Sequence, residues 1–209
     1  MCGTRPGAAD RGPTAAGAGS DGEALMTPVS PGDLLISHVV LRDGVFDFTV
    51  VLILDADASG ILGVVLNRHS DLQLGSVLPG WEGVVSDPRV LFDGGPVSPN
   101  GAICLASVGG DEEPPGWRRL FDSVGLLHLD TPVELVAGAF DAMRIFAGYA
   151  GWAPGQLDVE LARDAWFVAR ARHDDIFGVD QTDLWQRVLR RQELDTALYS
   201  TWTDRPDDN

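Results

Sequence analysis

Three consecutive pieces, Phe46-Asp-Phe-Thr-Val-Val-Leu-Ile-Leu54, Asp55-Ala-Asp-Ala-Ser-Gly60 and Ile61-Leu-Gly-Val-Val-Leu-Asn67, decide the fold class. The outer two are apolar and rich in β-branched residues, and the middle one is polar and ends in glycine. That pattern predicts a β-hairpin. Both runs are near-continuously apolar, so both strands are expected to be covered on both faces. The turn also imitates the start of an EF-hand loop through Asp55, Asp57 and Ser59. Position twelve of that template is Leu66, where calcium needs a bidentate glutamate, so the hairpin reading is preferred.

Outward from the hairpin, further strands are expected over 34–37, 90–92, 102–107, 124–129, 143–149 and 165–170. Residues 93–101 read as a turn and 108–117 as an exposed loop. A short helix is expected over 72–78. Thr131-Pro132 opens another with a capping hydroxyl and a first-turn proline. Pro154 begins a third over 154–163, with Leu157 and Leu161 one turn apart. A last helix is expected over 180–191, with Asp180 as N-cap and Arg187, Arg190 and Arg191 complementing its dipole. Strands and helices mix without regular βαβ alternation, which is the α+β class. Residues 1–27, rich in Ala, Gly, Pro, Thr and Asp, are expected to form a disordered tail, 28–203 the domain, and 204–209 a flexible C-terminus.

The chain has 209 residues and a formal charge of −16, with 15 arginines and no lysine. Lysine-dependent Schiff-base and phosphate-loop chemistry is therefore excluded. Residues 28–203 carry −13, and a body that acidic repels phosphate backbones, so direct nucleic-acid binding is not expected. The two cysteines, Cys2 and Cys104, are too far apart in sequence to suggest a disulfide framework, and Cys104 in its apolar run reads as buried and inert. No apolar run of membrane-spanning length and no signal-peptide core is present, which points to the cytoplasm.

Local catalytic signatures are sparse. His38, His69, His128 and His173 are scattered and match no zinc spacing, so no metal or cofactor is expected. No GxSxG elbow occurs. Glu112-Glu113 and Asp174-Asp175 read as solvated charge. Arg187, Arg190 and Arg191 can touch phosphates, although dipole complementation alone explains them. Two glycine-rich stretches remain, Gly94-Gly-Pro-Val97 and Gly148-Tyr-Ala-Gly-Trp-Ala-Pro-Gly-Gln-Leu157. In the second, a strand end leads into a helix start whose N–H groups can hold an anion. Tyr149 and Trp152 there suit either packing or lining a pocket.

Taken in order, Gly32-Asp-Leu-Leu-Ile36, Gly63-Val-Val-Leu-Asn67-Arg68, Phe92-Asp-Gly-Gly-Pro-Val97, the Gly148–Leu157 string, Glu160, Ala165-Trp166 and Leu184-Trp185 resemble the bacterial YqgE/AlgH family. The resemblance covers about 32–194. His69 stands where members often carry proline after the Asn-Arg pair, and the long N-terminal tail is extra. The resemblance implies a single compact domain with a branched, barrel-like mixed sheet surrounded by helices. Some members carry the label of transcriptional regulator, but no agreed catalytic residues come with the family. What it implies is a binding site at Asn67, Arg68, Gly94, Gly95, Pro96, Gly148, Tyr149, Gly151, Trp152, Gly155, Gln156 and Glu160. If these positions converge, Arg68 would pair with an acid or a ligand carboxylate, and Asn67 and Gln156 would donate and accept hydrogen bonds. Three readings follow. The leading one is a non-enzymatic binding or regulatory protein acting on transcription through protein or small-ligand contacts. The second is a hydrolase of unassigned type using Glu160 or an aspartate as base and Arg68 as electrophile. The third makes these positions purely architectural.

Overall fold

A computed structural model describes residues 29–41 and 44–202; the expected tails and Cys2 lie outside the described residues. The strands are β1 (Asp33–Ser37), β2 (Val50–Asp57), β3 (Gly60–Val65), β4 (Phe92–Asp93), β5 (Val97–Ser107), β6 (Trp117–Phe121), β7 (Val124–Leu127), β8 (Ala142–Trp152) and β9 (Trp166–Arg170). The α-helices are short: α1 (Leu74–Val77), α2 (Val133–Val136), α3 (Gln156–Leu161), α4 (His173–Phe177), α5 (Leu184–Arg190) and α6 (Leu194–Ala197). The strands form one curled sheet in the order β6-β7-β5-β8-β3-β2-β1-β9, with β4 beside β8. This is the mixed α+β domain that the resemblance implied. Among the described residues no helix is long and apolar enough to cross a membrane.

β8 is the branch point. Its first half pairs antiparallel with β5 and parallel with β4, and residues 150–152 pair antiparallel with β3. The β2–β3 hairpin is formed as expected, and its continuous apolar run is explained by two-sided burial. Val50, Leu52 and Leu54 point into a core shared with Leu34, Phe146 and Trp185. Val51 and Ile53 point the other way, onto Val65, Trp152 and Trp166. Full burial of each such side chain contributes about 1.5–3 kcal/mol. A third cluster, with Trp81, Leu91, Trp117 and Ile145, encloses Cys104, and burial pushes its thiol pKa far up, as the inert reading required.

Several boundaries differ from expectation. β2 starts at Val50, because the chain from Phe46 makes a turn in which Phe48 has φ 54. The turn over 93–101 is partly strand, since Val97 pairs with Tyr149 before the register shifts to Ala102. The loop over 108–117 ends where β6 begins, a strand whose adjacent Arg118 and Arg119 hide its alternation. α2 has no side-chain cap, so Thr131 does not cap it. α5 starts after Asp183, whereas the Asp180 carboxylate accepts the Thr182 N–H (2.9 Å).

Candidate functional site

The segment Gly94-Gly95-Pro96-Val97 runs as a strap across β8. Gly94 N–H donates to the Ala147 carbonyl (2.7 Å), and the Gly94 carbonyl accepts from Val65 N–H (2.9 Å). The crossing is backbone on backbone. A Cβ on Gly94 would lie 2.4 Å from the Gly148 oxygen, and one on Gly95, at φ +139, would lie 2.5 Å from the Tyr149 carbonyl carbon. Only glycine fits such an approach.

Asn67 and Arg68 shape the rim beside the strap. Asn67 Oδ1 accepts the Val50 N–H (2.9 Å), and its Nδ2 donates to the Phe48 carbonyl (2.8 Å). Arg68 donates to the carbonyls of Val45 and Asp47. Arg68 thus spends donors on two main-chain oxygens, and it and Asn67 fix the turn that leads into β2.

Glu160 gathers the other polar positions. Its Oε2 accepts from the indole N–H of Trp152 (2.9 Å) and of Trp166 (2.8 Å), and its Oε1 accepts from Gln156 Nε2 (2.9 Å). Gln156 Oε1 in turn accepts the Ala153 N–H (3.1 Å). The two indoles meet edge to face, with centroids 5.9 Å apart, and Phe46 packs on both. Gly155, at φ +74, opens α3. At this helix start the Ala153 and Gln156 N–H groups are bonded to Gln156 Oε1 and to the Ala153 carbonyl.

Two concavities flank the strap. One, of about 480 Å³, is lined by Asp55, Asp57, Val97, Tyr149, Gly151 and Trp152 among others. The other, of about 320 Å³, is lined by Arg68, Asp93, Gly95, Pro96 and Pro99 with neighbouring residues. In the first, the Ser59 hydroxyl and N–H hold the Asp57 carboxyl below the usual carboxylate range. Six of the sequence-expected residues thus line neighbouring hollows. Gly94 and Gly148 form the crossing between them, Asn67 braces the rim, and Gly155, Gln156 and Glu160 stand behind Trp152. Arg68 and Glu160 have separate sets of partners.

Sequence reasoning missed three polar clusters. Asp174 and Asp175 were expected to be solvated alike. The Asp174 carboxylate is 96% exposed, but that of Asp175 is 3% exposed and accepts Arg191 Nη1 (2.7 Å) and Nη2 (2.6 Å). Arg191 is thereby an ion-pair partner as well as a helix-end cation. Arg144 lies buried in β8 and donates to the carbonyls of Ile176 (2.5 Å) and Gly178 (2.8 Å). It stacks 4.3 Å over Phe92, and burial lowers its pKa to about 10. Its place opposite the apolar stripe of Met143 and Ile145 was the available signal. Ser107 Oγ lies 3.1 Å from His173 Nε2, with Asp174 Oδ1 3.6 Å from Nδ1. That order imitates an acyl-transfer triad, but Ser107 is only 1% exposed, and the contact ties α4 to β5. Among the described residues no group of three or more His, Cys, Asp or Glu is placed to hold a metal ion.

A family model described as AlgH-like matches residues 34–197. A UPF0301 protein of Streptomyces avermitilis is 44% identical over 187 residues, covering 87% of this chain and 97% of its own. One from Mycolicibacterium smegmatis is 42% identical over 188 residues, covering 87% and 94%. The crystal structure of a Corynebacterium diphtheriae protein matches with TM-score 0.79 and 30% identity, over 84% of this chain and 94% of that one. The solution structure of the AlgH protein from Pseudomonas aeruginosa matches with TM-score 0.63 at 24% identity, over 86% and 97%, which speaks to the fold.

Proposed function

From the premise that the chain belongs to the AlgH-like family, we propose that it is a binding and regulatory protein working through the saddle around the 94–97 strap. The observation that carries this reading is how the saddle is built. Arg68, Gly95 and Pro96 wall one side and Tyr149, Gly151 and Trp152 the other. Behind them, the polar atoms of Asn67, Gln156 and Glu160 are used to hold those walls in shape. Concave surfaces with fixed aromatic walls are where proteins receive ligands or partner side chains.

With −13 on residues 28–203, the contact is made with a protein or a small ligand, and any influence on transcription runs through that contact. A hydrolase built on Glu160 and Arg68 is favoured less. A general base must reach the proton it abstracts, and the Glu160 oxygens already accept three bonds from within the fold. Two measurements test the reading. On random duplex DNA at moderate salt no electrophoretic shift is expected, and tight binding there overturns the charge argument. In cross-linking from source cells, Val97→Arg is expected to lose partners that Val168→Arg, at an exposed position on β9, retains. Equal recovery by both variants overturns the saddle as the site.

A further inference from the structure

Four arginines face one hollow in a domain that is otherwise strongly acidic. The concavity, of about 330 Å³, is lined by Arg172, Arg187, Arg190, Arg191, Asp174 and Asp175, and shares no residue with the two beside the strap. Residues 28–203 hold twelve arginines, so a third of them meet here. Like charges repel, and two of the four are held by carboxylates.

Arg191 is locked from below. Its Nη1 and Nη2 bond both oxygens of the buried Asp175 carboxylate, and Nη2 also donates to the Arg170 carbonyl (3.0 Å). Arg187 is locked from the side by Asp183 Oδ1 (2.6 Å), the Asp180 carbonyl (3.2 Å) and Gln181 Oε1 (3.3 Å). A guanidinium has five donors, so each keeps about two for another acceptor. Arg172 and Arg190 are exposed, and among the described residues neither has an ion-pair partner. The Asp174 carboxylate is the one negative group of the lining not tied to an arginine, and it is turned to solvent.

We propose that this hollow binds the phosphoryl group of a phosphate monoester. Arg187 and Arg191 form its fixed floor, and Arg172 and Arg190 close on the phosphoryl oxygens. A carboxylate offers two oxygens and one charge. A phosphate monoester offers three terminal oxygens and a charge of about −1.5 to −2 at pH 7, which several guanidinium forks at different angles can share. The lining contains no apolar side chain, so recognition is of the phosphoryl group and not of the body that carries it.

The test is a titration of the whole protein at constant ionic strength, following the arginine Nε–H resonances, with glycerol phosphate as probe. A parallel arm measures co-sedimentation with vesicles of phosphatidylcholine with and without phosphatidic acid, which separates a free monoester from a lipid headgroup as the source. The expected result is saturable movement of the Arg187, Arg190 and Arg191 resonances, or phosphatidic-acid-dependent sedimentation. In whichever arm binds, Arg190→Gln and Arg172→Gln should each weaken it by about tenfold, the loss of one charge-assisted hydrogen bond. Arg89→Gln, an exposed arginine outside the hollow, should leave it unchanged. Binding in neither arm overturns the proposal. So does binding that all three variants retain, or that Arg89→Gln weakens as much as the others.

Discussion

Glu160 and Asp175 each fasten a helix to its surroundings, with opposite chemistry. On α3, Glu160 accepts from two indoles and an amide, all neutral donors, and so joins α3 to β8 and β9. On α4, Asp175 meets a cation, Arg191, which also reaches the Arg170 carbonyl of β9. The first clamp adjoins the aromatic saddle and gives it a rigid back wall. The second adjoins the arginine hollow and gives it a fixed floor. A carboxylate with neutral donors cancels no neighbouring cation. A carboxylate with an arginine neutralises it and leaves the neighbouring arginines to set the sign of the hollow.

The contrast is sharpest in the cost of breaking each clamp. Asp175→Ala strips the counter-charge from Arg191, whose side chain is only 15% exposed, and Arg191→Ala leaves a carboxylate buried without its cation. Removing one member of a buried pair costs about 3–5 kcal/mol, and Arg191→Ala is expected to reach that range in urea unfolding. Loss of under 1 kcal/mol would reduce the pair to an ordinary surface contact. Glu160→Ala should cost less, about 2 kcal/mol, because the indole N–H groups of two buried tryptophans lose a hydrogen-bond acceptor but no buried ion is left without its counter-charge. Glu160→Gln keeps an acceptor oxygen and should cost about half as much. A Glu160→Gln loss equal to that of Arg191→Ala would erase the distinction between the two clamps.

These clamps also show where the sequence could be read and where it could not. The β2–β3 hairpin was legible because its pattern is local: two apolar runs with a turn between them. The strap and the Gly148–Leu157 string were legible as a resemblance, and their glycines as backbone freedom. The Asp175–Arg191 pair was not legible, because its members lie 16 positions apart, one in α4 and the other just past the end of α5. Asp174 and Asp175 look alike in a sequence, and only the placement of α4 buries one and exposes its neighbour. Glu160 was singled out in the sequence as a polar position of the resemblance. Its two indole partners, however, are eight residues before it and six after, on different strands, a relation that no periodicity encodes. β6 was hidden for another reason: its two arginines interrupt the apolar alternation while its Trp117 carries the burial.

Arg68 tests whether the saddle's rim belongs with the Glu160 clamp. Its guanidinium bonds two carbonyls of the turn before β2, at a partly solvated site, so Arg68→Ala should lower stability by about 1 kcal/mol. Amide exchange should speed up selectively over 44–49. A variant with unchanged exchange there would mean that Arg68 does not brace the turn and is held ready for a ligand instead.

A third carboxylate, Asp57, completes the series, because it faces solvent on the lip of the larger saddle concavity. Its Oδ1 accepts the Ser59 hydroxyl (2.5 Å) and the Ser59 N–H (2.7 Å), and those bonds lower its pKa from the ordinary 3.8. A carboxylate depressed in the fold contributes stability at pH values above the unfolded pKa, and the contribution disappears as pH falls through the lower folded value. Ser59→Ala removes the hydroxyl, the largest cause of the depression, so the Asp57 carboxyl carbon should titrate closer to 3.8 in an NMR pH series. The remaining backbone bond should hold it slightly below that value. An unmoved midpoint would show that the turn's backbone alone sets this charge. The sequence Asp57-Ala-Ser59-Gly60 would then be a turn former only, and not also the means by which the saddle stays negative in mild acid.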